Sequence, residues 1–131
     1  MRWLNSSILW GGILLLTACS AEKENSYTSI AGLWECEEID ETVSILIFSV
    51  DIDNVINYDD TFIISNFHDT GDNYFIRVSV VDDKLHIPRQ SLLNLIVHGE
   101  GTISSDFKRI EAEYTIDDGG RTANFLATFS R

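Results

Sequence analysis

The sequence predicts a small all-β protein, an antiparallel up-and-down β-barrel of about eight strands, with a two-sheet β-sandwich as the alternative. Three observations predict this class. Beyond residue 30, no segment has the sustained 3.6-residue periodicity of a long amphipathic helix. The chain instead alternates short runs rich in Val, Ile, Phe and Thr with clusters of turn residues. The connections are short, which favours a meander of neighbouring strands, and closing a meander into a barrel removes its exposed edges.

The predicted strands follow one another at short intervals. The fifth is short and ends at Pro88, after which residues 88–92 are expected to leave the sheet as a longer excursion. The sixth is expected to bend at Gly99 and Gly101, since glycines inside strands often mark bulges or corners. The eight predicted strands are residues 32–39, 43–50, 61–67, 74–81, 85–87, 93–104, 107–116 and 121–131.

Turn chemistry and two-residue alternation support this order. The connections at 69–73, 82–84 and 117–120 are rich in Asp, Asn and Gly, which accept the backbone angles of tight turns. In the last two strands apolar and polar residues alternate, which is typical of a sheet with one face in water. The residues predicted to face inward there are Ala112, Tyr114, Ile116, Ala123, Phe125, Ala127 and Phe129.

The N-terminal segment has the features of a secretory signal. Arg2 gives a positive start, and the apolar run 8–16 is too short for the roughly 20 residues of a transmembrane helix. Leu16-Thr17-Ala18-Cys19 resembles the bacterial lipoprotein box, a pattern of aliphatic, small, small and Cys. The resemblance implies cleavage before Cys19 and attachment of acyl chains, such as palmitate, to that residue. Residues 1–18 are therefore predicted to be a lipoprotein signal peptide.

The resemblance also implies a cellular location. Ser20, not Asp, follows Cys19, and by the sorting rule of such lipoproteins this favours the outer membrane. Several acyl chains on one residue anchor a protein stably, whereas one chain is marginal. Residues 19–29 are polar and are predicted to be a tether to a folded domain at 30–131. Whether that domain faces the periplasm or the cell surface stays open at this point.

Charge excludes some partners. Removing residues 1–18 takes away one basic residue, Arg2, so the formal net charge of −12 becomes −13. Nucleic acid is therefore not an expected partner, because phosphate binding needs clustered Lys and Arg. If Cys19 is acylated, Cys36 has no partner for an internal disulfide, and its place in a strand predicts a buried, inert thiol.

Gly32-Leu33-Trp34 opens the first predicted strand after the tether. Gly-x-Trp at this place resembles the entry motif of lipocalins and related calycin barrels. Together with "IISNFHDTG", "LHIPRQ", "GEGTIS" and "EYTIDDGG", it makes residues 30–131 similar to small lipocalin-like domains of Gram-negative lipoproteins. The resemblance implies that Trp34 plugs one end of the barrel and that Arg131, which ends the last strand, stacks on its indole ring. The domain is shorter than a typical lipocalin and lacks its disulfide and C-terminal helix, which puts a roomy cavity in doubt.

Other candidate sites have weaker support. Oxygen ligands gather at 51–60, but their spacing does not fit a calcium-binding EF-hand loop. His68, His86 and His98 would form a zinc site only if the fold converged them, and they are expected on the surface. Glu111 and Glu113 lie two residues apart like paired catalytic acids, but a strand face in contact with water explains them better. No catalytic residue set, metal site or cofactor is predicted.

The sequence favours a non-enzymatic, lipid-anchored binding protein of the outer membrane. One hypothesis is a lipocalin-like carrier of a small apolar ligand. The alternative is an interaction or inhibitor module that binds another envelope protein through exposed segments such as 51–60 or 88–92. The residues predicted to line the barrel interior around a ligand are Ile64, Tyr114, Phe125 and Phe129.

Overall fold

Eight antiparallel strands pair in sequence order, and the first also pairs with the last, so the sheet closes into a barrel. These observations come from a computed structural model that describes residues 26–131. The predicted barrel is confirmed, and the alternative of a two-sheet sandwich is excluded. The strands are β1 (Gly32–Asp40), β2 (Ile45–Val55), β3 (Tyr58–Ser65), β4 (Phe75–Val81), β5 (Lys84–Leu92), β6 (Leu95–Ile103), β7 (Arg109–Asp117) and β8 (Thr122–Ser130).

The up-and-down order gives the barrel two distinct ends. We call the end where β1 begins and β8 finishes the entry end. We call the opposite end the mouth, where the connections 41–44, 66–74, 93–94 and 118–121 lie. No helix within residues 26–131 is long and apolar enough to cross a bilayer. The predicted signal peptide, Cys19 and the tether up to residue 25 lie outside the described residues.

The core follows from the alternation of side chains. In β7 the buried residues are Ile110, Ala112, Tyr114 and Ile116, and the residues between them are exposed or half-buried. Every strand of the barrel contributes at least one such inward residue, and their apolar side chains fill the space inside the barrel. Burial of this apolar surface is the main force that holds the barrel closed.

Residues 51–60 differ from the prediction. They were expected to be a loop, but β2 continues to Val55 and β3 begins at Tyr58, so the segment is a hairpin. Its acidic side chains Asp51 and Asp53 alternate with Ile52, which is fully buried, so the rhythm of a strand persists through the acidic run. The turn is made by Ile56 and Asn57, and Asn57 has a positive φ of 70°.

Residues 88–92 also differ from the prediction, because they belong to β5 and do not leave the sheet. Pro88 lies where the register of β5 against β6 shifts between Ile87 and Gln90, a bulge that tolerates the missing N–H of proline. The amide side chain of Gln90 accepts a hydrogen bond from the Arg77 backbone N–H at 2.7 Å and donates one to the Arg77 carbonyl, also at 2.7 Å. A side chain thus replaces the missing backbone ladder between β4 and this part of β5.

The third strand ends earlier than predicted. It stops at Ser65, and Phe67–Asp69 form a short 3₁₀ turn in the β3–β4 connection. Asn66 and His68 have φ values of 60° and 57°, in the left-handed region that ends an extended strand. The connection therefore folds back over the mouth, and Phe67 is buried there.

Candidate functional site at the barrel mouth

The entry end is sealed by a stack of three side chains. The guanidinium carbon of Arg131 lies 4.0 Å from the centre of the Trp34 ring and 3.6 Å from the centre of the Tyr27 ring. Trp34 is 2% exposed, and its indole N–H donates a hydrogen bond to the Ile30 carbonyl at 2.8 Å. The guanidinium is therefore held between two aromatic faces, which attract a cation.

Arg131 also joins the stretch before β1 to the β6–β7 connection at this end. Its guanidinium donates hydrogen bonds to the carbonyls of Phe107, Ala31 and Ser29. Gly32 has a φ of 130°, and a Cβ atom there would approach Arg131 to 2.9 Å, so the glycine of Gly-x-Trp has a steric reason. Tyr27 and Ser29 fall in the predicted tether, so contact with the barrel begins before residue 30. The entry end is thus closed to a ligand.

The four residues predicted to line a ligand cavity all face inward, but they do not form one surface. Ile64 and Phe129 are 0% and 1% exposed and belong to the packed core. Tyr114 is also buried, whereas Phe125 is half-buried and packs against the core from the mouth. The structure therefore leaves Tyr114 and Phe125 as the pair nearest to solvent.

Beside that pair lies a buried carboxylate that the sequence analysis did not single out. Glu38 is 3% exposed and is the only charged side chain buried within residues 26–131. It follows Trp34 and Cys36 on the inward face of β1. The Tyr114 hydroxyl donates a hydrogen bond to Glu38 Oε2, and His68 Nδ1 lies 2.6 Å from Glu38 Oε1. That nitrogen makes no hydrogen bond of acceptable geometry, so it lies against Glu38 without a hydrogen bond.

Aromatic rings surround this carboxylate. The Phe67 and Tyr114 ring centres are 4.7 Å apart, and the Tyr114 and Phe125 rings stack at 5.5 Å. His68 stands edge-on to Phe125 at 4.9 Å and to Tyr114 at 6.2 Å. We call Glu38, Phe67, His68, Tyr114 and Phe125 the mouth cluster. It combines one carboxylate with several aromatic rings, and the part-exposed members are His68 and Phe125.

Two weak acids beside Glu38, the Tyr114 phenol and the Cys36 thiol, are kept protonated by their environment. Burial raises the pKa of Tyr114 far above its ordinary value, and the charge and hydrogen bond of Glu38 raise it further. Burial also raises the pKa of Cys36, with Glu38 and Glu37 adding to the effect. Tyr114 therefore acts as a hydrogen-bond donor, and Cys36 is an unreactive thiol in the core.

The connection that carries His68 is anchored by Asn66. The Asn66 side chain donates a hydrogen bond to the Ser49 carbonyl at 2.7 Å and accepts one from the Gly71 N–H at 2.8 Å. Three residues of this connection other than glycine, Asn66, His68 and Asp69, have positive φ. The side chain of His68 is 22% exposed, so one edge of its ring reaches solvent.

The three histidines do not converge. His86 and His98 project from the outer face of β5 and β6, whereas His68 lies in the mouth cluster, contrary to the expected surface position.

Burial and the charges of Asp53 and Asp72 raise the pKa of Asp51 in the hairpin. Within residues 26–131, no three His, Cys, Asp or Glu side chains are grouped so as to hold a metal ion.

An open groove of about 900 Å³ lies on the outer face of the barrel, across β5 to β8 and the end of β1. Glu100 and Glu113 lie directly opposite each other there, and Leu126 lies opposite Glu113. Leu126 also lies opposite Ile39 of β1. Glu111, farther along β7, pairs with Arg109 at 2.9 Å on the wet face. The groove is distinct from the mouth cluster, although both include parts of Tyr114 and Phe125.

Similar solved structures are barrels. The redesigned β-barrel mFAP1, bound to DFHBI, shares 16% identity, with 78% of this chain and 94% of that chain covered and a TM-score of 0.59. The redesigned β-barrel b11L5F_LGL shares 15% identity, covering 78% and 90%, with a TM-score of 0.58. EF1p2_mFAP2b, bound to DFHBI, shares 13% identity, covering 78% and 93%, with a TM-score of 0.56.

What they share with this chain is the fold. At such identities the likeness carries no information about activity. No protein-family model matches the chain. No curated protein matches it either.

Sequence reasoning missed Glu38 and misplaced His68. Alternation from Trp34 through Cys36 puts Glu38 on the inward face, and this signal was available. The signal for His68 was weaker, because a residue in a turn carries no rhythm that tells which way its side chain points. Only the folding of residues 66–74 over the mouth brings it to Glu38.

Proposed function

We propose that this protein is a lipid-anchored lipoprotein of the bacterial outer membrane whose barrel binds a small molecule at its mouth without catalysing a reaction. The observation that carries the binding proposal is the buried carboxylate of Glu38, held beside Tyr114 and His68. Moving a carboxylate out of water costs several kcal/mol, and its partners offset only part of this cost. Replacing a buried charge by an apolar residue of similar size is often neutral or stabilising, so a buried charge at this place supports a role in binding.

The surroundings of Glu38 suit a ligand with both apolar and polar parts. Tyr114 and Phe125 supply ring surface, and Glu38 supplies a polar anchor, the combination that small-molecule sites commonly use. Ile64 and Phe129 form the packed core and would not contact the ligand directly. The solved barrels bound to DFHBI support the idea that a barrel of this fold accommodates a small molecule.

The proposed anchor suits a site at the mouth. The described chain begins next to the entry end, where Tyr27 and Ser29 contact Arg131. The mouth lies at the opposite end of the barrel, so the described chain enters the barrel away from the proposed site. The Cys19→Ser variant should lose acyl labelling and leave the membrane fraction. A variant that stays labelled and membrane-bound would contradict the anchor.

Native mass spectrometry tests the binding proposal. We expect the full chain, isolated from its own cells in a non-ionic detergent, to carry a small adduct that solvent extraction releases. Glu38→Gln should lose the adduct. The matched control Glu35→Gln removes the same charge from the exposed face of β1 and should keep it. Isolation without any adduct, or equal retention by both variants, would count against a site at the mouth.

The outer groove favours a second candidate function, binding or inhibition of another envelope protein. Leu126 and Ile45 are 54% and 57% exposed, and both align with Ile39 across neighbouring strands. Exposed apolar side chains in line can mark a contact surface. Chemical crosslinking in cells should then capture a partner that Leu126→Asp no longer captures, while Glu38→Gln still captures it.

A further inference from the structure

The His68 ring occupies a position suited to a cation. Its Nδ1 lies 2.6 Å from Glu38 Oε1, and its ring is tilted against those of Phe125 and Tyr114 at 4.9 and 6.2 Å between centres. Ring faces carry partial negative charge and attract cations, most strongly where water is excluded. A buried carboxylate adds a full negative charge to the same place. The cluster is therefore complementary to a positive group with a flat or apolar body.

No fixed positive charge within residues 26–131 neutralises Glu38. Its contacts are the neutral Tyr114 hydroxyl and the His68 ring. Lys and Arg do not pair with it in the described part of the chain, where Arg109 pairs with Glu111 instead. The excess of acidic residues also favours the approach of cations from a distance.

The segment that carries His68 is held to the barrel by hydrogen bonds that do not involve the His68 ring. The backbone at His68 has a φ of 57°, which costs energy for a residue with a side chain. Nδ1 makes no hydrogen bond of proper geometry, and the ring is part-exposed at the mouth. Asn66 holds the base of the segment to Ser49 and Gly71 through hydrogen bonds that do not involve His68. A rotation of the His68 side chain would therefore leave the hydrogen bonds of Asn66 in place.

We propose that the ligand is a small organic cation with an aromatic or apolar body, and that its charged group takes the place of the His68 ring beside Glu38. This inference rests on the proposed binding function and names its ligand class. His68 acts as an internal stand-in that fills the site when no ligand is bound. Tyr114 and Phe125 then contact the body of the ligand, and the Tyr114 hydroxyl keeps its hydrogen bond to Glu38.

Three probes of one shape but different charge test the inference. They are 2-phenylethylamine, 2-phenylethanol and phenylacetate, titrated by calorimetry into the full chain in a non-ionic detergent. The amine should bind about tenfold more tightly than the alcohol, a factor that corresponds to roughly 1.4 kcal/mol. Phenylacetate should bind least, because its carboxylate would face Glu38.

Two variants and one control assign the effect to the cluster. His68→Ala should tighten binding of the amine, because the competing ring is gone. Glu38→Gln should reduce binding of the amine to the level of the alcohol. Glu35→Gln changes the net charge equally on the outer face and should bind the amine like the unaltered protein. Circular dichroism verifies that each variant is folded, and His68→Ala and the probe series still decide the matter if Glu38→Gln does not fold.

The outcomes separate the inference from the function on which it rests. Equal binding of amine and alcohol would overturn the cationic ligand while leaving a small-molecule site in place. Equal weakening by Glu35→Gln and Glu38→Gln would also overturn it, since general charge attraction would then explain the binding. If neither the unaltered protein nor His68→Ala bound any probe, both the inference and the proposed site at the mouth would fail.

Discussion

Gly99 on β6 lies where a neighbouring strand leaves no room for a side chain. A Cβ atom there would lie 2.2 Å from the Glu113 carbonyl oxygen and 2.6 Å from the Tyr114 Cβ. The missing side chain lets β7 approach closely at Tyr114, a member of the mouth cluster. The pairing of β6 with β7 runs without a register shift through Gly99, so the glycine is explained by close packing rather than by the predicted bend.

Gly99→Ala should destabilise the barrel by about 1–3 kcal/mol, because the added methyl group forces the backbone of β7 to shift. The measurement is urea unfolding followed by tryptophan fluorescence. Gly120→Ala is the matched control, since the nearest atom to its Cβ would be 3.9 Å away. Equal effects at the two positions would argue against the close packing of β6 and β7.

Cys36 is buried beside the carboxylate of Glu38, and both burial and that charge raise its pKa. In a Cys19→Ser variant it is the only remaining thiol of the chain. We expect this thiol to resist a disulfide-exchange reagent in the folded protein, because thiolate is the reactive form. It should react fully in urea. Fast reaction under native conditions would show that this part of the core opens.

At the scale of elements, the entry end depends on one residue that joins the first and last strands to the β6–β7 connection. Arg131 stacks on Trp34 and donates hydrogen bonds to three carbonyls. Burial lowers the pKa of the Arg131 guanidinium, but the residue remains charged at neutral pH.

Arg131→Ala should lower the free energy of unfolding by roughly 2 kcal/mol, through lost stacking and unsatisfied carbonyls. Arg131→Lys keeps the charge but not the three-way donation, so its loss should be intermediate. Thermal unfolding by circular dichroism measures both. Arg121→Ala, at the exposed mouth, removes the same charge and should change the midpoint little. If all three variants behaved alike, the geometry at the entry end would contribute nothing specific.

Elements also show where a pattern of residue types misleads. The acidic residues Asp51 and Asp53 suggested a loop, yet they alternate with buried Ile52 and continue β2. Pro88 suggested the end of a strand, yet the Gln90 side chain supplies the missing ladder to Arg77. Composition indicated loops in both cases. The acidic side chains can continue a strand because they alternate with buried residues and need not enter the core. The proline can lie in a strand because the Gln90 side chain makes the hydrogen bonds that the backbone does not.

At the scale of the whole molecule, stability should fall steeply in alkaline solution. The pKa values of Tyr114 and Cys36 are both raised in the folded barrel. In the unfolded chain these groups ionise near their ordinary values of about 10 and about 8.5, so the unfolded state loses protons first. The stability that they contribute is therefore complete below those ordinary values and is lost as the pH rises through and above them.

Urea unfolding between about pH 8 and about pH 11 tests this expectation. Tyr114→Phe should be less stable by about 1–3 kcal/mol at neutral pH, because Glu38 loses its donor. Its stability should also fall less steeply with pH. Tyr58→Phe, at an exposed position on β3, is the matched control and should follow the unaltered protein. If the unfolding free energy of Tyr114→Phe depended on pH as steeply as that of the unaltered protein, the Tyr114 phenol would ionise as readily in the folded as in the unfolded state.

The amino-acid sequence by itself determined the barrel class, most strand positions and the facing of β7 and β8. These follow from local rhythm, because a side chain at every second position must leave water for the core to form. It also indicated a stack of Trp34 and Arg131 at one end, which an even number of meandering strands brings together. The lipid anchor and the outer-membrane address remain predictions from the same sequence.

Only the tertiary structure decided what surrounds Glu38. Its hydrogen-bond partner Tyr114 is 76 positions away along the chain. His68 reaches it from a connection with left-handed backbone angles, where the order of polar and apolar residues does not predict the direction of a side chain. The physical reason is that alternation specifies the face of one strand, whereas closure of the barrel and the fold of residues 66–74 specify which side chains meet inside it. The mouth cluster is a product of closure, and so is the ligand chemistry that we infer from it.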